Sequence, residues 1–352
     1  MGSGYYFGLS GMAPVLAAYR SVHPDTAFAD EIERRLRSCT EWIEAYIEDM
    51  ERQTALRYPE CSGSRKSGCA GHVEGLMQLY EYEPEERYLS LARRAVRQLE
   101  RYSCENCPDL SYRDGIAGIL AVLCRYRDRL GAEEPLLRRY AELLMRRKTA
   151  EPGDGKQLWY PSGKKRVLSG LDIGVGGIGL ALHMAGTLLA DDAYLDAAED
   201  AFAYERAACR ADAGGWPDTS KSTVSPERYG AYHSGSAGLG FLWMYLGEEA
   251  MLQRAADAAL ASPNVFSDRL FDGNLGVCDF LLEAGRALHR PELTDRAKAI
   301  LASLGTGVRH YQDAAFEQVW EPSLFRGDAG YLYLRLRAAF PDRVRCLLSA
   351  RL

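Results

Sequence analysis

Gly235-Ser-Ala-Gly-Leu-Gly-Phe-Leu-Trp-Met-Tyr-Leu246 opens on a Gly-x-x-Gly pair and runs directly into an apolar, helix-forming stretch. The chain repeats this pattern seven times. The other copies begin Gly8-Leu-Ser-Gly11, Gly68-Cys-Ala-Gly71, Gly115-Ile-Ala-Gly118, Gly174-Val-Gly-Gly177, Gly273-Asn-Leu-Gly276 and Gly327-Asp-Ala-Gly330. From first glycine to first glycine the steps are 60, 47, 59, 61, 38 and 54 residues. A unit of that size recurring through a chain marks a repeat architecture. The runs after the glycines, such as Met12-Ala-Pro-Val-Leu-Ala-Ala-Tyr19, are apolar nearly all round and read as buried helices. Between them lie stretches with one apolar face, for example Glu31-Ile-Glu-Arg-Arg-Leu-Arg37 and Tyr88-Leu-Ser-Leu-Ala-Arg-Arg-Ala-Val96. The alternation predicts an all-α, α/α toroid, with seven inner helices wrapped by seven outer ones in a single domain over 1–352. Residues 159–168 suggest a hairpin in a connecting loop. Glycine lets inner helices approach closely, so most of these glycines read as packing devices.

The 352 residues are 47% hydrophobic and 26% charged, with a net charge of -6, an ordinary globular balance. Mild acidity argues against a nucleic-acid partner, which needs a clustered basic surface. No apolar run reaches the roughly 20 residues of a membrane span, and the N-terminus lacks signal-peptide features. Nine cysteines, an odd number, without an export signal predict reduced thiols and a cytoplasmic location. Gly8 opens the first repeat almost at once, which suggests a free-standing protein or a piece of a longer one.

Residues just ahead of the glycine pairs are expected to line one mouth of the barrel. Asp114, Asp172, His233, Asp272 and Arg326 are therefore candidate catalytic groups, and Arg113, Tyr232, Phe271, Phe325 and Tyr6 candidate substrate contacts. Buried charge is costly unless paired or used, and crowded carboxylates push one pKa upward. The competing reading makes the aspartates helix N-caps. Cys61, Cys69, Cys104 and Cys107, with His72, form a weaker alternative metal site or redox pair. Lys164-Lys-Arg166 reads as a solvated loop tip or a contact for an acidic leader peptide.

With these motifs the whole chain resembles the lanthionine synthetase C-like family, most closely the cyclase half of class II lanthipeptide synthetases. Tyr204-Glu-Arg206 with Trp216-Pro-Asp218, Tyr232-His-Ser-Gly-Ser-Ala-Gly-Leu-Gly240 and Leu270-Phe-Asp-Gly-Asn-Leu-Gly276 carry the likeness, together with Glu321-Pro-Ser-Leu-Phe-Arg-Gly-Asp-Ala-Gly330. The resemblance implies an enzyme that adds a cysteine thiol to a dehydrated Ser or Thr of a precursor peptide. A dehydratase, as partner or fused domain, would prepare that substrate. The family's zinc ligands fall on His233, Phe271 and Asp272, its catalytic histidine on Ile173, and its upstream acid on Ser111. A zinc site needs at least three good ligands, so no cofactor is expected. Zinc remains possible but disfavoured. A divergent cyclase would use His233 and Asp272 as base and acid, with Arg326 stabilising the enolate. The alternatives are a non-catalytic toroid that binds a peptide or synthetase, and an acid/base enzyme of carbohydrate-active α/α-barrel type.

Overall fold

The computed structural model describes residues 2–53, 63–102, 104–105, 107–150, 157–161, 166–210, 215–217, 230–262, 267–304 and 321–349. Seven inner helices follow the seven glycine pairs: α1 Leu9–Val22, α3 Cys69–Tyr82, α5 Ile116–Arg125, α8 Val175–Leu189, α10 Ser236–Leu246, α12 Asn274–Ala287 and α14 Asp328–Ala339. The outer layer is α2 Ala29–Arg52, α4 Glu86–Arg101, α7 Glu134–Arg146, α9 Asp192–Ala208, α11 Glu249–Ala261 and α13 Pro291–Ser303, with the single turn α6 Arg127–Leu130 between α5 and α7. Each inner helix packs on the next, and α14 returns to α1, closing the toroid. The described outer helices number six; a seventh is not among the described residues. Strand structure among the described residues is one antiparallel pair, β1 Thr149–Ala150 with β2 Gln157–Leu158. It sits just upstream of the expected 159–168 hairpin, of which 162–165 lie outside the described residues.

The two layers follow from the two sequence patterns. Helix α4 buries Tyr88, Leu91, Ala92, Ala95 and Leu99, one face at helical spacing, while Arg87, Arg93 and Arg94 form ion pairs on the other. Helix α5 buries every residue from Ile116 to Cys124, because neighbours surround it on all sides.

The glycines explain how the layers close. A Cβ at the second glycine of a pair would lie 1.9 Å from the Tyr112 carbonyl oxygen at Gly118, and 2.2 Å from the Arg65 oxygen at Gly71. The loop ahead of each helix thus folds back across the helix's first turn. Its carbonyls take the helix's first amides, as in Ile116 N–H to Asp109 and Ala117 N–H to Leu110. The N-cap of each inner helix is the first glycine itself, without any side-chain cap bond. This overturns the reading of Asp114, Asp172 and Asp272 as N-caps. In α8 a side chain substitutes for a carbonyl. Glu205, from the Tyr204-Glu-Arg206 segment on α9, accepts the Gly176 and Gly170 amides at 2.9 Å and the Ser169 hydroxyl at 2.5 Å.

Burial pushes the Glu205 carboxyl up to about 7. The native state therefore holds this proton where an unfolded chain, titrating near 4.5, releases it. The contribution to stability is full below pH 4.5 and falls as pH rises toward 7, by at most about 3 kcal/mol. Glu205→Gln keeps the two amide bonds and is expected to flatten that slope, as read from urea midpoints at pH 5 and pH 8. An unchanged slope would place the titration elsewhere.

Candidate active site at the barrel mouth

One residue per repeat, two places before the first glycine, builds the mouth. Tyr6, Lys66, Arg113, Asp172, His233, Phe271 and Phe325 each donate a backbone N–H to the carbonyl of the next in that order, and Phe325 donates back to Tyr6, at 3.0–3.2 Å throughout. Seven repeats thus share one closed, cyclic main-chain rim. At a strand-like spacing of about 4.8 Å the rim is roughly 11 Å across. The seven helix N-termini all face it and lend it positive potential.

Beneath the rim the bore is filled. Tyr5, Arg65, Tyr112, Leu171, Tyr232, Leu270 and Leu324, one place further from each glycine, are fully buried or nearly so. Arg65 is the hub of this plug. Its guanidinium grips Glu74 through Nε and, at 3.1 Å, through Nη2, and donates to the Tyr6 hydroxyl at 2.6 Å. It lies over the rings of Tyr5, Tyr6 and Tyr112 at 4.6–5.4 Å. Tyr6 in turn donates to Asp172 Oδ1 at 2.5 Å, and Arg125 reaches Glu74 at 2.8 Å. Asp172, Tyr6, Arg65, Glu74 and Arg125 therefore form one buried chain of alternating charge. Asp172 is wholly buried, and its Oδ2 has no partner among the described residues. Burial raises its carboxyl to about 6, against the pull of Arg113 and Arg65.

The other predicted residues divide between two sides of the rim. His233 is 5% exposed and stacks on Phe271 with centroids 4.6 Å apart. Arg113 reaches across to lie 5.1 Å over the other member of that stack, Phe271. On the far side Phe325 stacks on Tyr6 at 3.8 Å, and Arg326 covers Phe7 at 4.0 Å. Asp114 is held by Arg113 at 2.6 Å and Lys66 at 3.2 Å. Asp272 is held by Arg269 at 2.7 Å. Tyr232 is buried under the rim with its hydroxyl unpaired among the described residues. Arg65 and Glu74 escaped the sequence reading, and Glu205 entered it only as part of the Tyr204-Glu-Arg206 segment, without a role.

The residues at the family's zinc positions do not suit the ion. Phe271 offers no donor, Asp272 is engaged by Arg269, and His233 is stacked on Phe271. Among the described residues no group of three His, Cys, Asp or Glu side chains is arranged to hold a metal. Of the alternative cysteine site, Cys69, Cys104 and Cys107 are buried, and burial pushes all three thiols up, to about 12 for Cys69. His72 is held neutral, lowered to about 3 by burial and bonded to Ser10. Cys61, Lys164 and Lys165 lie outside the described residues. No helix is long and apolar enough to cross a membrane among the described residues.

A closed double-layered helical ring, its inner helices all opening on one cyclic rim, defines the class of the protein, an α/α toroid. The chain matches the model of the lanthionine synthetase C-like protein family over residues 1–345 and belongs to that family. Among solved structures it is similar to nisin cyclase, with a TM-score of 0.68 at 17% identity over 98% of this chain and 91% of that one. An unsaturated glucuronyl hydrolase from Bacillus sp. GL1 gives 0.50 at 17% identity, covering 88% of this chain and 97% of that one. The GH76A α-1,6-mannanase of Salegentibacter sp. HEL1_6 gives 0.53 at 13%, covering 86% and 98%. At such identities these likenesses establish the fold. No curated protein matches by sequence.

Proposed function

We propose that the protein is a lanthionine cyclase that works without zinc, joining a cysteine thiol of a precursor peptide to a dehydroamino acid. The observation that carries the reading is the His233–Phe271–Arg113 stack, which sets an imidazole and a cation on one side of the mouth of a cyclase-family toroid. His233 takes the thiol proton. The thiolate sulfur then bonds to the β-carbon of the dehydro residue, and the alkene electron pair moves to the carbonyl oxygen. Arg113 stabilises that enolate, and the imidazolium returns its proton to the α-carbon, so atoms and charge balance. A dehydratase must act first to supply the alkene.

The test is mass spectrometry of a dehydrated precursor with a thiol-alkylating probe. His233→Ala is expected to slow ring formation by about 10²-fold, as for loss of a general base. Stability should barely move, because His233 joins the rim through backbone atoms that alanine also has. Full activity in His233→Ala would remove the base from this scheme. Binding without cyclisation by the unaltered protein would identify a peptide-holding toroid instead.

A further inference from the structure

The side of the rim away from His233 carries one cation, Arg326, without an ion-pair partner among the described residues. Lys66 Nζ and Arg326 Cζ lie over the same Phe7 ring, at 5.5 and 4.0 Å. Lys66 shares Asp114 with Arg113, whereas Arg326, open to solvent on one side with its guanidinium packed on Phe7, has no such partner. Partial burial and the nearby Arg269 and Arg113 lower the Arg326 pKa, against the opposing pull of Asp272 and Glu321. Two cations gathered at one aromatic ring repel, and a further anion between them relieves that repulsion. Lys66 and Arg113 are ion-paired to Asp114 and Arg269 to Asp272, so among the described residues Arg326 is the cation of this part of the mouth that no carboxylate holds within ion-pair distance.

We infer that the Phe7–Lys66–Arg326 corner is a carboxylate seat, and that the substrate is a peptide with an acidic side chain anchored there. Deepening the cyclase reading, this rests on it only for the position of the reacting thiol, at His233. Around the rim the order is Tyr6, Lys66, Arg113, Asp172, His233, Phe271, Phe325. Tyr6, the neighbour of Phe7, thus stands three rungs from His233, close to a full diameter away. A chord of roughly 11 Å corresponds to about three residues of extended peptide at ~3.3–3.6 Å each. The acidic residue therefore lies three places from the cysteine. Guanidinium and ammonium donors on one carboxylate give charge-assisted bonds in a partly dry setting, and the helix N-termini favour the same sign.

The experiment measures binding, so it stands apart from catalysis. Fluorescein-labelled Glu-Ala-Ala-Cys, Gln-Ala-Ala-Cys and Glu-Cys peptides, blocked at both ends, are titrated with the protein and followed by anisotropy. The Glu-Ala-Ala-Cys peptide is expected to bind about 10-fold more tightly than the other two, as for one hydrogen-bonded charge pair. That advantage should shrink as salt rises from about 50 to about 500 mM. Arg326→Gln should abolish it, and Arg326→Lys should restore part of it. Equal binding of the Glu and Gln peptides, no binding of any, or a preference that survives Arg326→Gln would overturn the seat. A precursor that cyclises without any acid preference would overturn the seat and leave the cyclase standing. An acid preference beside normal cyclisation by His233→Ala would do the reverse.

Discussion

Gly238→Ala is expected to abolish the folded protein. The added methyl would sit 1.9 Å from the Tyr232 carbonyl oxygen, a main-chain atom, and 3.2 Å from Leu171 Cβ. Nothing flexible can yield. Moving the Tyr232 carbonyl drags His233, whose N–H and C=O bond to Phe271 and Asp172 on either side. Two rim bonds would be lost along with the packing of α10 on its neighbours. A cost above about 4 kcal/mol is exceptional for one methyl, and it is a large share of a total stability of about 5–15 kcal/mol. Gly2, where a Cβ meets nothing within 4 Å, is the control. Gly2→Ala should change the urea midpoint negligibly, while Gly238→Ala should leave little soluble protein to measure. A shift of only a few degrees in the melting temperature of Gly238→Ala would show that the loop can slide, contrary to the geometry.

Arg65→Ala is the second change with a large expected effect. It removes a wholly buried guanidinium, leaving Glu74 with Arg125 alone and Asp172 without its nearest buried cation. Breaking a buried pair from one side costs about 3–5 kcal/mol, because the stranded charge stays in a poor solvent. The emptied volume among Tyr5, Tyr6 and Tyr112 adds a cavity penalty. Combining Arg65→Met with Glu74→Gln refills the space and removes the stranded carboxylate, so the double variant should be more stable than Arg65→Ala despite carrying two changes. Urea denaturation of the three proteins decides this. A cost below about 1 kcal/mol for Arg65→Ala would mean that water reaches the plug.

The reach of the sequence differs between backbone and bore. The glycine pairs carried the inner helices because a close main-chain approach leaves an unambiguous mark: no other residue fits at Gly71, Gly118 or Gly238. The rim residues were legible too, since one fixed offset from each glycine places Asp172, His233 and Phe271 on the same face. The plug was not. Arg65 and Glu74 are charged residues in the core, and residue type alone sends such groups to the surface. Their partners, Tyr6, Arg125 and Asp172, lie in other repeats, so no local pattern connects them. Glu205 belonged to a recognised segment, but its task of receiving the amides that open α8 depends on how α9 lies against α8. Candidate roles for Asp114 and Asp272 also looked different in one dimension, where the cations that hold them, Lys66, Arg113 and Arg269, could not be assigned.

The cyclic rim spends only main-chain atoms. A straight repeat array gains or loses a unit at its ends and stays sound, since each unit leans on its neighbours alone. A closed heptagon has no ends. Dropping one member would shrink its perimeter by a seventh and misalign all the others, so the scaffold is locked at seven. Its side chains are under no such restriction. Because every rung is secured by N–H and C=O, the seven letters on it can be rewritten one at a time. A change at His233 or Phe271 alters what faces the mouth while the mouth keeps its diameter. In this toroid reactivity is therefore far easier to revise than form.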